Sequence, residues 1–199
     1  MKKKIFSLAM VICCLAVLTI SGTLAYFTAE DTATNVITTG TIDIDLKETI
    51  GVDPETGEDI PFTDVTGVMP SQAIDKIVTV KNINDAMPAF VRVRVTPTIT
   101  LAQEYADKQD EIDLSLISID YNTRHWTYNE EDGYWYYNEI LETNTETPVL
   151  FTKVTFAPEM GNMYQGATVT IDVRAEAVQV KNNPGTTALT AQGWPAPQT

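Results

Sequence analysis

Residues 167–177 read Ala-Thr-Val-Thr-Ile-Asp-Val-Arg-Ala-Glu-Ala, and every second residue of this stretch is apolar. Successive side chains of a β-strand point to opposite faces, so strict alternation predicts a strand with one buried and one solvated face. We expect the apolar set to face a core: Val169, Ile171, Val173, Ala175 and Ala177. We expect the intervening polar set to face water: Thr168, Thr170, Asp172, Arg174 and Glu176. Such strands are typical of antiparallel sheets.

The same period of two recurs along the chain. Residues 41–47 and 91–95 alternate between apolar and charged side chains. Further candidate strands cover residues 76–81, 114–121, 124–128, 134–140 and 150–156. Only residues 101–110 favour a helix, and it is short. This pattern predicts an all-β fold, an antiparallel two-sheet sandwich of jelly-roll type with one short connecting helix.

Turn residues separate the candidate strands. The turn from Asp53 to Gly57 contains Pro54 and follows the first candidate strand. Pro70 and Pro88 lie on either side of the candidate strand at residues 76–81. Gly133 ends an acidic run between two aromatic stretches, which predicts a hairpin tip where glycine supplies a positive φ.

The N-terminus has the composition of a secretory signal peptide. Three lysines precede an apolar run from Ile5 to Ile20, and small residues follow up to Ala25. We expect cleavage between Ala25 and Tyr26, and no later apolar run is long enough to span a membrane. The sequence therefore predicts a secreted protein, in the extracellular matrix or at the cell surface, without a membrane segment after cleavage.

Four segments follow from this interpretation. Residues 1–25 are the signal peptide, 26–40 a mature N-terminal segment, 41–180 the β-sandwich domain and 181–199 a tail. The tail is rich in Asn, Pro, Gly, Thr and Ala, so we expect it to be mobile, with Leu189 and Trp194 able to dock it.

Charge excludes several classes of partner. The chain carries a formal charge of −14, and residues 1–25 hold three of its 13 basic residues and none of its 27 acidic ones. The mature chain therefore carries about −17, which argues against binding nucleic acid or an anionic lipid surface. Both cysteines, Cys13 and Cys14, lie in the signal peptide, so thiolate chemistry is not expected of the mature chain.

Catalytic motifs are weak. The single histidine, His125, lies in a candidate strand and cannot supply the histidine pair of a zinc protease. No serine lies in a glycine-rich nucleophile turn, and the glycines are scattered, so we expect no enzyme activity and no cofactor. Calcium is the remaining metal hypothesis, because carboxylates crowd one turn: Asp53, Glu55, Glu58 and Asp59. A solvated turn in an acidic protein has the same composition.

Aromatic residues flank the predicted hairpin tip: Trp126, Tyr128, Tyr134, Trp135, Tyr136 and Tyr137. One interpretation is cross-strand pairing that stabilises the hairpin. The alternative is an exposed platform for a glycan or a neighbouring protein. The candidate platform residues are Trp126, Tyr128, Trp135 and Tyr137.

Several segments carry a family resemblance. The first is Gly-Thr-Leu-Ala-Tyr-Phe-Thr at residues 22–28, and the second is Thr-Gly-Thr-Ile-Asp-Ile at residues 39–44. Residues 68–71 precede a strand ending at Asn82, and residues 175–179 read Ala-Glu-Ala-Val-Gln. Together these resemble the TasA-type biofilm matrix fibre proteins of Gram-positive bacteria and their camelysin relatives. The aromatic hairpin has no counterpart in this resemblance.

The resemblance implies a jelly-roll subunit that polymerises into extracellular fibres after cleavage by a signal peptidase of the SipW class. In such fibres the mature N-terminal segment adds as a strand to the next subunit, and here its apolar anchors are Tyr26, Phe27, Val36 and Ile37. The partners implied are further copies of the chain and a companion or anchor protein. Two alternatives stay open: a monomeric surface-binding or adhesion module, and a camelysin-like metalloprotease, which the lone histidine disfavours.

Overall fold

The computed structural model describes residues 27–30, 33–35, 42–63, 65–68 and 70–195. The predicted signal peptide, its cleavage site between Ala25 and Tyr26, and the anchors Val36 and Ile37 lie outside the described residues. Over the helices that are described, none is long and apolar enough to cross a membrane.

Twelve strands are described, and they account for most of the regular structure. They are β1 (Phe27–Glu30), β2 (Ala33–Asn35), β3 (Ile44–Val52), β4 (Asp59–Pro61), β5 (Val65–Val68), β6 (Ala73–Asn82), β7 (Ala89–Thr100), β8 (Ile117–Ile119), β9 (Trp126–Asn129), β10 (Tyr134–Tyr137), β11 (Phe151–Phe156) and β12 (Thr168–Gln179). The prediction of a mostly β protein is confirmed.

These strands form two sheets. The seven-stranded sheet has the order β5-β1-β12-β7-β10-β9, with β2 also paired to β12, and the five-stranded sheet has the order β4-β3-β6-β11-β8. Neighbouring strands are antiparallel, as predicted, except that β1 and β2 run parallel to β12. The long pair β7–β12 is the centre of the larger sheet, with twelve residue pairs in one continuous register.

The two sheets share one hydrophobic core. The predicted inner face of β12 is confirmed, because its apolar residues are at most 4% exposed: Val169, Ile171, Val173, Ala175 and Ala177. They pack with the inner residues of β6 and β11, among them Val78, Val80 and Phe151. Burying one such side chain contributes about 1.5–3 kcal/mol.

The predicted short helix at residues 101–110 is found as a 3-10 helix at Gln103–Glu111. No side chain caps its N-terminus, but Gln109 ties it to the end of β7. Its Nε2 donates to the carbonyl of Ile99 (2.7 Å), and its Oε1 accepts from the backbone N–H of Leu101 (3.0 Å).

Some strand boundaries and exposures differ from the predictions. Residues 114–116 form a 3-10 turn ahead of the short β8. His125 lies in the turn before β9, because the backbone N–H groups of His125 and Trp126 both donate to the carbonyl of Asn122. His125 is half-buried. The prediction that Glu176 faces water is wrong: its side chain is 0% exposed, because a second layer covers that face of the sheet.

Candidate assembly site

Strands β1 and β2, near the N-terminus, pair with one edge of β12 within their own chain. Thr28 lies opposite Thr168 in β1, and Ala33 lies opposite Val173 in β2. Both strands keep the same parallel register against β12. The opposite edge of β12 is fully paired with β7, so β1 and β2 occupy the edge that would otherwise be open.

Strand β5 depends on the same segment. It pairs antiparallel with β1, with Phe27 opposite Val68 and Ala29 opposite Val65, and β1 is its only neighbour in the described sheet order. Strand β1 therefore lies between β5 and β12, and β2 lies further along the same edge of β12; we call this place the strand slot. Of the predicted anchors, Phe27 begins β1, while Tyr26, Val36 and Ile37 lie outside the described residues.

Main-chain pairing needs no particular side chains, which makes such a slot able to accept an equivalent strand from another molecule. A strand held by main-chain pairing exchanges between chains when the segment can leave and a second copy can enter. The strand slot fits this requirement, because β1 and β2 are short strands that lie along one edge of β12.

A charged cluster covers the outer face of β7 and β12. Glu176 Oε2 accepts from Arg92 Nε (2.8 Å) and lies 2.7 Å from Arg92 Nη2. Glu176 Oε1 accepts from the Tyr134 hydroxyl (2.9 Å) and lies 3.2 Å from Arg174 Nε. Burial and the bond to Glu176 raise the pKa of Tyr134, so its hydroxyl stays a donor. A buried carboxylate needs this number of partners.

Tyr136 extends the cluster toward the hairpin. Its hydroxyl accepts from Arg92 Nη1 (3.0 Å) and donates to a carboxylate oxygen of Asp132. Burial and the bond to Asp132 raise the pKa of Tyr136. Arg94 Nη2 donates to the backbone carbonyl of Asp132 (2.6 Å), so the hairpin tip is held against the sheet.

Residues 180–195 lie over this cluster, and we call them the C-terminal strap. Trp194 stacks at 4.5 Å on the Arg92 guanidinium and meets the Tyr136 ring edge-on at 5.8 Å. Ala188 and Ala191 are each 5% exposed in a second, smaller core with Phe90 and Val178. Of the two residues predicted to dock the tail, Trp194 packs and Leu189 stays exposed. The mobility predicted for residues 181–199 stays a prediction.

A buried amide fixes the fold of the strap. Asn183 Nδ2 donates to the carbonyls of Gln179 (3.0 Å) and Gln192 (3.3 Å), and Asn183 Oδ1 accepts from the backbone N–H of Gln192 (2.7 Å). No sequence pattern indicates this role, because a single Asn in a polar tail has no periodicity.

The aromatic hairpin forms as predicted, with Gly133 at φ 73° in its turn. Trp126, Tyr128, Trp135 and Tyr137 share the inner face, but they differ in accessibility. Trp126 is 1% and Tyr137 6% exposed, so these two belong to the core. Trp135 is half-buried and Tyr128 is 48% exposed.

Tyr121 completes the accessible part of this surface. Its ring stacks on Trp135 with ring centroids 4.2 Å apart, and the Tyr128 ring centroid lies 5.1 Å from that of Trp135. The sequence pattern does not indicate Tyr121, because this residue lies outside the hairpin and contacts Trp135 only in the folded chain. We call Tyr121, Tyr128 and Trp135 the aromatic platform.

The acidic loop around Asp53 is an ordered turn. Asp53 Oδ1 accepts from the backbone N–H of Glu55 (2.8 Å) and Thr56 (3.1 Å), and these bonds lower the pKa of Asp53. Asp59 forms an ion pair with Lys47 (3.0 Å). Across the described part of the chain, no three His, Cys, Asp or Glu side chains converge as a metal site. Calcium binding at Asp53, Glu55, Glu58 and Asp59 stays an untested hypothesis.

Comparisons of the chain with protein-family models, with curated proteins and with solved structures return no match.

Proposed function

We propose that this protein is a secreted structural subunit that self-assembles into extracellular matrix fibres by donating its mature N-terminal segment to the strand slot of the next copy. One observation carries the proposal: β1 and β2 pair in a single parallel register with an edge of β12 that has no other partner in the described sheet order. A jelly-roll arrangement of the two sheets is part of the same proposal.

Cleavage of the signal peptide would control the donation of the N-terminal segment to another copy. Before cleavage between Ala25 and Tyr26, the segment continues into an apolar run that partitions into the membrane. Release frees the segment, and a second copy then offers the same main-chain pairing that β1 and β2 make within one chain. A signal peptidase of the SipW class is the proposed processing partner, and a companion or anchor protein the proposed means of retention at the surface.

Electron microscopy of a chain of residues 26–199 tests this function. We expect fibres from this chain, and none from a chain that starts at Gly40 or from Ala29→Pro, because proline removes a main-chain donor from a paired strand. Gln103→Pro is the matched control. It places the same residue at the first position of a helical segment, where proline is tolerated.

The outcomes separate the matrix role from its mechanism. Fibres from the chain that starts at Gly40 would retain the matrix role and reject strand donation. Dispersed monomers from residues 26–199, with salt and with calcium, would reject both.

A monomeric binding module is the second candidate, and the aromatic platform supports it. Tyr128 is 48% exposed beside the Tyr121–Trp135 stack, which is a surface that a sugar ring could cover. Quenching of tryptophan fluorescence by an oligosaccharide, lost in Tyr128→Ala and without growth in particle size, would favour this function over assembly.

A further inference from the structure

A lysine lies within the core of the five-stranded sheet. The inner row of β6 consists of Ile74, Lys76, Val78, Val80 and Asn82, and Lys76 is 1% exposed. Lysine is almost never fully buried unless it has a partner, because removing an ammonium group from water is unfavourable.

One partner of Lys76 comes from the neighbouring strand. Glu48 continues the inner row of β3 after Ile44 and Leu46, and it lies opposite Val78 in the register of β3 with β6. Lys76 is thus its diagonal neighbour. Lys76 Nζ lies 3.3 Å from Glu48 Oε2, and the Glu48 side chain is 6% exposed.

An aromatic ring lies against the pair. The Phe62 ring centroid lies 4.3 Å from Lys76 Nζ, and Phe62 itself packs against the main core. An ion pair in such a place is weak support for a fold, because the desolvation of two charges offsets their attraction. A neutral covalent link would bury no charge.

We propose that Lys76 and Glu48 condense into an intramolecular isopeptide bond. Proton transfer from the ammonium to the carboxylate gives the neutral amine and the carboxylic acid. The Lys76 Nζ lone pair attacks the Glu48 carboxyl carbon, the C–OH bond breaks, and one water molecule leaves with the second amine proton. The reaction is a condensation, so it needs neither oxidant nor reductant.

Folding holds the amine and the carboxyl group next to each other, which does not occur for free groups in water. Two groups held in contact react with effective molarities on the order of 10⁵–10⁸ M when their geometry is favourable. Burial of both side chains excludes the water that would reverse the reaction. The bond would tie β3 to β6, which are joined through the loop containing β4 and β5.

Mass spectrometry of the purified protein tests the proposal directly. We expect the intact mass to be lower than that of the sequence by one water molecule. In a tryptic digest of the denatured protein, we expect no cleavage after Lys76. Residues 48–81 should then appear as one peptide, lighter by one water, without fragment ions from inside the 48–76 ring.

The chain contains its own control. Lys153 pairs with Asp75 at 3.5 Å, but both side chains are exposed, at 48% and 65%, so we expect normal cleavage after Lys153 and no loss of mass there. Lys76→Arg keeps a cation and a trypsin site but cannot form the amide, and it should restore cleavage after position 76 at full mass. A wild-type peptide 48–76 at full mass, with no linked form, would overturn the proposal and leave Lys76 and Glu48 as a buried ion pair.

Discussion

Arg92 and Glu176 lie directly opposite each other on β7 and β12, and Arg92 Nη2 is 2.7 Å from Glu176 Oε2. Glu176 is fully buried and Arg92 is 7% exposed. This pair is the point at which the seven-stranded sheet, the aromatic hairpin and the C-terminal strap meet, since Tyr134, Tyr136 and Trp194 all contact one of the two residues.

Loss of the carboxylate should destabilise the fold strongly. Glu176→Ala leaves Arg92 buried without its main counter-charge, and removing one partner of a buried pair lowers the free energy of unfolding by about 3–5 kcal/mol. Urea unfolding followed by tryptophan fluorescence measures the change. Glu131→Ala, at the exposed hairpin tip, is the matched control, with an expected change within about 0.5 kcal/mol. Equal midpoints for the two variants would contradict the role given to Glu176.

The strap should detach without unfolding the sheets. Trp194→Ala removes the contacts with Arg92 and Tyr136, and a desolvated cation–π contact contributes up to about 2 kcal/mol. We expect proteolysis within residues 180–195 to become faster while the rest of the chain stays resistant. Leu189→Ala is the control, because Leu189 is 46% exposed. Equal proteolysis of both variants would show that Trp194 does not hold the strap.

Stability should fall on the alkaline side because of the buried phenols. The pKa values of Tyr134 and Tyr136 are raised in the folded state, by burial and by bonds to carboxylates. A raised pKa stabilises the fold fully below the unfolded value of about 10, and that contribution is lost as the pH rises through the folded pKa. Unfolding midpoints above about pH 10 should therefore fall more steeply in the wild type than in Tyr136→Phe. Parallel slopes would contradict this assignment.

Assembly should depend on salt. Residues 26–199 carry 10 basic and 27 acidic residues, a formal charge of about −17, so neighbouring copies repel one another at low ionic strength. The screening length falls from about 30 Å at 0.01 M to about 10 Å at 0.1 M salt, which removes most of this repulsion between exposed charges. Light scattering should show faster polymerisation in salt and no effect of sucrose at equal osmolarity. Identical rates at low and high salt would contradict the charge argument.

Patterns within a few consecutive residues predicted the features of the fold that depend on neighbouring residues alone. Alternation in residues 167–177 identified the inner face of β12, and Gly133 identified the hairpin turn. The exposure of Glu176 was predicted wrongly, because the side chains that contact it, Arg92 and Tyr134, come from other strands. The pairing of β5 with β1 and the stacking of Tyr121 on Trp135 join distant residues, so no window of sequence contains them.

Strand donation itself is tested most directly by a disulfide between two copies. Residues 26–199 contain no cysteine, and Thr28 and Thr168 are register partners on adjacent strands, where Cα separations of about 4.8 Å suit a disulfide. Thr28→Cys in one preparation is mixed with Thr168→Cys in another, and the mixture is oxidised during assembly. Ser118→Cys, exposed on β8 of the other sheet, replaces Thr168→Cys in the control. We predict a covalent heterodimer only with Thr168→Cys. Its absence, while a chain carrying both Thr28→Cys and Thr168→Cys forms the bond internally, would show that the segment stays in its own subunit.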